Sequence, residues 1–268
     1  MSTAEPVAPA ARPLPVARRL AARDVLYAAW PLFQVSLPGC LPLAVLGVAA
    51  GATPGAEAVA AGEGRGFLHS GEWWGLYAAS TVLMLICYAG ILRQQLARAA
   101  GARLGVLDSL RRSLAGFLST LGVVLPCVAV LLPGLALMYA AGWIAGLPAL
   151  LAGILALMYL AFGGLAQLDE GLGASAALRR SVQLVRGRVV AVAGIFGTLL
   201  AAVLVFVLLA GILMAVVMNL AGGGAQQTHA GLAFSRWLMA GLLSLPVVYV
   251  SAVSVSAWRA LLATSRRA

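Results

Sequence analysis

The chain has 268 residues, of which 62% are hydrophobic and only 10% charged, and its mean hydropathy is +1.00. Soluble domains carry about 25% charged residues, and a core of ordinary size cannot hide this much apolar surface. A soluble globular protein, a disordered chain and a disulfide scaffold are thereby excluded, which leaves a polytopic membrane protein of all-α class.

A helix that crosses a bilayer needs about 20 mostly apolar residues. In chain order, residues 1–15 are rich in Ala and Pro and predict a disordered cytoplasmic tail, and residues 16–268 a single six-helix transmembrane domain. The six apolar stretches are 27–49, 75–92, 114–139, 144–167, 190–220 and 237–258, and none contains a charged residue. The third and fourth are nearly continuous. Read as one helix, they would need about 80 Å of membrane, so a break is placed at Ala140-Ala141-Gly142-Trp143, with Pro148 in the first turn of the next helix. Trp30, Trp73, Trp74, Trp143, Trp237 and Trp258 all fall near predicted span ends, where indole rings favour the headgroup level.

All 18 basic residues are arginine, and the formal net charge is +10. A basic balance can mark nucleic-acid binding, but here the arginines cluster between apolar runs, as on the cytoplasmic face of a membrane protein, so no nucleic-acid partner is expected. Four lie before the first span, five in 93–113, four in 168–189 and three after Trp258, whereas the alternate loops hold only Arg65 and Arg236. The positive-inside rule then places both termini in the cytoplasm. Arg18-Arg19 followed by an apolar run and Ala50-Gly51-Ala52 also mimics a twin-arginine signal, but the run is longer than a signal core and contains Pro31, Pro38 and Pro42.

A short motif recurs. Leu110-Arg111-Arg112-Ser113 precedes the third span, Leu178-Arg179-Arg180-Ser181 the fifth, and Arg18-Arg19-Leu20 the first. At helical spacing Leu110, Leu114, Phe117 and Leu118 share a face, as do Leu178, Val182 and Val185. This predicts three units, each a short amphipathic cytoplasmic helix followed by a transmembrane hairpin, with arginines among anionic headgroups. Three arginine-rich loops that merely obey topology are the plainer alternative.

The stretch from Gly173 to Arg188, with Leu178-Arg179-Arg180-Ser181 and Arg186-Gly187 at its centre, resembles a segment of uncharacterised six-span bacterial inner-membrane families. These include the membrane domain found beside glycerophosphoryl diester phosphodiesterase domains. Asp169-Glu170-Gly171 matches the acidic-Gly motif that ends the fourth span there; Val182 and Val189-Val190 depart from the aromatic residues common in those families. The resemblance implies a fold and a compartment, the bacterial inner membrane, but no reaction.

Candidate chemistry is sparse. His69 and His229, the two histidines, both fall in predicted periplasmic loops, with Glu63 and Glu72 near the first; a zinc site across these loops is the sharper reading and solvated loop residues the plainer one, since two histidines are few and their spacing is not diagnostic. Cys40, Cys87 and Cys127 lie within apolar runs without ligand spacing and read as packing residues. Asp169 and Glu170 form the only adjacent acidic pair; they suit general acid–base work, and equally ion pairs with Arg179, Arg180, Arg186 or Arg188. No catalytic, cofactor or metal residue is assigned, and no enzyme activity is expected.

Two functions remain. In the first, a non-enzymatic membrane protein organises lipids or a protein partner through Arg111, Arg112, Arg179, Arg180, Arg186 and Arg188, with anionic headgroups as their ligands. In the second, a transporter or channel for a small or lipidic substrate is lined by neutral polar residues: Gln34, Ser36, Ser80, Thr81, Ser119, Thr120, Thr198, Asn219, Ser244, Ser251 and Ser254. Pro38, Pro42, Pro126, Pro133 and Pro246 would kink its helices and free carbonyls near them. In the fifth span Ala193, Gly197 and Ala201 form a small-residue row, with Gly194, Thr198 and Ala202 beside it. Such rows suit close helix packing, within the chain or in a homo-oligomer.

Overall fold

The computed structural model describes residues 20–60, 71–220 and 229–266, and over these the protein is all-helical. Ten helices follow one another: α1 Ala22–Ala60, α2 Gly71–Ala99, α3 Val106–Ala115, α4 Phe117–Ala129, α5 Leu132–Ala141, α6 Trp143–Leu160, α7 Gly163–Glu170, α8 Ala174–Val185, α9 Val189–Leu220 and α10 His229–Ser265. Six stretches are long and apolar enough to cross a bilayer: Ala22–Thr53, Gly71–Ala99, Phe117–Ala141, Gly146–Glu170, Val189–Val217 and Trp237–Ser265. This is a multi-pass membrane protein. The predicted tail 1–15 and the Arg18-Arg19 copy of the motif lie outside the described residues.

Two spans are broken helices. The third is α4 plus α5, interrupted at Val130-Leu131, with Pro126 inside α4 and Pro133 in the first turn of α5. The fourth is α6 plus α7, interrupted at Ala161-Phe162 without a proline. The predicted turn at Gly142 is present, and its φ of +83° is one that glycine adopts without steric cost. Pro148 is not in the first turn of the new helix: α6 begins at Trp143 and carries Pro148 in its interior. The third span starts later than the apolar run suggests, because Leu114 and Ala115 complete α3 before the turn at Gly116. α5 and α6 approach so closely that a Cβ on Gly134 would strike the Leu150 backbone.

The packing is uneven. α1 lies most extensively against α2 and α10, and this trio holds most of the core: Val25, Ala29 and Leu32 of α1, Leu92 of α2, Trp258 and Leu261 of α10, joined by Phe162 and Ile195. In the most apolar window of the α10 span 44% of residues are buried, against 6% in that of α9. α9 is apolar all round yet almost unburied, which fits a helix whose solvent is lipid. The tryptophans divide accordingly. Trp30, Trp74, Trp143 and Trp237 are exposed near span ends, but Trp258 is fully buried, so it is a core residue and not an interfacial anchor.

Candidate functional site

The two described copies of the motif stand at matching corners. α2 ends at a left-handed glycine, Gly101 (φ +81°), and α7 at another, Gly171 (φ +66°). Around Gly101 the amide N–H groups of Gly101 and Ala102 bond back to the Arg98 and Ala97 carbonyls, satisfying the end of α2. The chain then enters α3 through an extended Gly105 (φ −67°, ψ 157°) and α8 through an extended Gly173 (φ −66°, ψ 158°). Eight residues on, each short helix buries the motif serine, Ser113 or Ser181, and the residue one turn before it, Ser109 or Ala177. Small side chains on that face let α3 lie against α2 and α8 against α7.

The α8 corner is a knot of hydrogen bonds. Ser181 Oγ donates to the Tyr159 carbonyl at 2.6 Å and accepts from the Phe162 N–H at 3.2 Å. It thereby satisfies backbone groups freed by the break between α6 and α7. Glu170 pairs with Arg180 through Nε and Nη2 at 3.2–3.3 Å. Asp169 turns elsewhere: Trp258 Nε1 donates to its Oδ2 at 2.8 Å, and the Trp258 ring stacks on Phe162. The adjacent acids thus serve two contacts, of which the sequence reading foresaw only the arginine pair. Both hold α7, α8 and α10 together.

The α3 corner rests on residues that sequence reasoning passed over. Gln94 and Gln95, both buried near the end of α2, reach in different directions. Gln94 Nε2 donates to Ser109 Oγ at 2.9 Å, and Gln94 Oε1 accepts from Cys40 Sγ at 3.4 Å. Gln95 Nε2 donates to the Val248 carbonyl of α10 at 2.9 Å and to Ser36 Oγ at 3.4 Å. Glutamine amides thus tie α1, α2, α3 and α10 across an apolar setting where water is scarce. The available signal was the pairing of Gln94-Gln95 with serines or cysteine one turn apart at Ser36/Cys40 and Ser109/Ser113.

Of the six arginines assigned to the interface, Arg111, Arg112, Arg179 and Arg186 are exposed and Arg180 and Arg188 half-buried. They sit beside outward-facing apolar side chains, Leu107 and Leu114 on α3 and Val182 on α8. Among the described residues no other helix touches the glycines of the small-residue row. Ala193 is half-buried, Gly197 and Ala201 are exposed, and a Cβ on Gly194 or Gly197 would touch nothing within 4 Å.

The neutral polar residues do not converge on one lining. Ser36, Thr81, Thr120, Thr198, Ser244, Ser251 and Ser254 bond carbonyls three or four residues back on their own helices. Gln34, Ser119 and Asn219 are exposed. Two largely apolar cavities flank α9. One of about 540 Å³ is bounded by Val123, Cys127, Met158 and Leu200, the other of about 460 Å³ by Leu43, Met84, Val203 and Pro246. Tyr88 and Val250 line both. Among the described residues no group of three His, Cys, Asp or Glu is placed to hold a metal; His69 and Glu63 lie outside them.

No family model, curated protein or solved structure matches this chain.

Proposed function

We propose that this is a non-enzymatic multi-pass protein of the bacterial inner membrane whose cytoplasmic, arginine-rich face binds anionic lipid headgroups and organises lipid or a partner protein around it. In this reading both termini are cytoplasmic. α3 and α8 are interfacial helices that each open a transmembrane hairpin, and Arg111, Arg112, Arg179, Arg180, Arg186 and Arg188 reach into the headgroup layer. The carrying observation is the repeated corner: two short helices with the same entry glycine and buried serine put exposed arginines next to exposed apolar side chains. Arginine near an anionic surface is worth about 1 kcal/mol per residue, so several together hold lipid without any enclosed pocket. The likeness of the Leu178–Gly187 stretch to six-span inner-membrane families supports the compartment.

The test is binding of the purified full chain to vesicles or nanodiscs with and without phosphatidylglycerol. Replacing Arg111, Arg112, Arg179 and Arg180 together by glutamine is expected to abolish the preference for the anionic membrane. An unchanged preference contradicts the proposal.

A second reading, handling of a lipidic substrate, rests on the two cavities beside α9. Their apolar lining suits acyl chains and not a polar solute. Retention of a lipid that is lost on narrowing the larger cavity by Gly197→Leu supports it; retention of that lipid by the variant contradicts it.

A further inference from the structure

The two corners share a backbone but not a charge balance. On α8, Arg180 has an internal counter-ion, Glu170, held by two nitrogens. On α3 the residue at the same motif position, Arg112, has no carboxylate within ion-pair distance among the described residues. Asp108, one turn earlier, folds its Oδ2 back toward Gly105 at the start of the helix. A second arginine reaches the same corner from α2. Arg93 projects from α2 so that its Nη2 lies 3.1 Å from where a Gly116 Cβ would stand, beside the Arg112 carbonyl. Arg93 Nε is buried and has no hydrogen-bond partner among the described residues. Two arginines thus share this corner, with the Arg93 Nε donor buried and unpartnered and no carboxylate within ion-pair distance of either among the described residues.

We propose that Arg93 and Arg112 hold the phosphate of an anionic membrane lipid at the α2–α3–α4 corner, supplying from outside the negative charge that Glu170 supplies to the α8 corner from within. This rests on the reading of the arginine face as a lipid interface. Two planar guanidinium groups match a phosphate's oxygens. The depth suits a headgroup, since Arg93 directly follows the apolar run that ends at Leu92. Leu114 and Leu118, 62% and 79% exposed on the turns after Arg112, offer the flank along which the acyl chains lie. A lipid phosphate satisfies both the charge and this apolar flank; a free phosphate ion satisfies only the charge.

Native mass spectrometry of the full chain, titrated with phosphatidylglycerol, tests this. Arg93→Gln and Arg112→Gln are each expected to weaken the first bound lipid by about tenfold or more, the size of one charge-assisted contact. Arg180→Gln is expected to leave it within about twofold, because Arg180 already has its acid. Arg112 is exposed, so its variant reports binding even if Arg93→Gln fails to fold. Phosphate-free diacylglycerol is expected not to be retained, and inorganic phosphate not to displace the lipid. Equal losses from Arg112→Gln and Arg180→Gln overturn the assignment of this corner and leave the general arginine face standing. Loss from none of the single variants or from the fourfold variant overturns both. Displacement by millimolar inorganic phosphate overturns the lipid as ligand in favour of a free anion.

Discussion

α3 and α8 leave their preceding helices through a left-handed glycine, start after an extended glycine and carry Leu-Arg-Arg-Ser in the same register. From there they diverge. Ser181 closes two backbone bonds across the α6–α7 break, whereas Ser113 Oγ is buried without a partner among the described residues. Arg180 meets Glu170, whereas Arg112 has no carboxylate within ion-pair distance among the described residues. The motif therefore encodes a placement, a short helix pressed by its small-residue face onto the preceding span. The chemistry of each copy comes from residues outside the motif, Glu170 and Tyr159 in one case and Arg93 and Gln94 in the other.

The contrast can be broken at several points. The largest effect is expected from Trp258→Ala, which removes the buried ring behind the α8 corner together with its bond to Asp169. Large aromatic deletions cost about 3–5 kcal/mol, to be read as reversible unfolding in mixed micelles. Ser181→Ala comes next, at about 1–2 kcal/mol, since the Tyr159 carbonyl and Phe162 N–H lose their partner. Glu170→Gln is expected to cost no more than about 1 kcal/mol, because the pair is partly exposed. Its sharper readout is a gain of one bound anionic lipid, as Arg180 loses its internal acid and comes to resemble Arg112. Ser113→Ala is expected to change stability by less than about 0.5 kcal/mol, the mirror of Ser181→Ala, because no bond of its hydroxyl is broken. Equal costs for the two serine variants would show that the corners are not wired differently.

The spans were readable because hydropathy over 20 residues needs no knowledge of tertiary contacts, and the turn at Gly142 because glycine tolerates its φ. The break at Ala161-Phe162 was not, since the glycines that follow it, Gly163-Gly164, serve equally as packing residues within a span, and the compensating group, Ser181, lies about twenty residues away. Trp258 was misplaced for a similar reason: near a span end an indole has two satisfactory environments, and only its bond to Asp169, 89 residues distant, decides between them. Gln94 and Gln95 look like ordinary residues at a helix end until α1, α3 and α10 close around them. For the small-residue row of α9, spacing cannot say whether a partner helix stands opposite, and among the described residues nothing lies within 4 Å of a Cβ at Gly194 or Gly197.

The account requires both arginine corners to face one side of the membrane, and site-directed labelling tests this most directly. In a chain whose Cys40, Cys87 and Cys127 are replaced by alanine, Ala102→Cys before α3 and Gln183→Cys on α8 each place a thiol at an exposed position. In intact cells an impermeant maleimide is expected to leave both unlabelled, and in inverted membrane vesicles to label both. Labelling of one from outside and of the other from inside would contradict a shared cytoplasmic face, and with it the two-corner lipid interface.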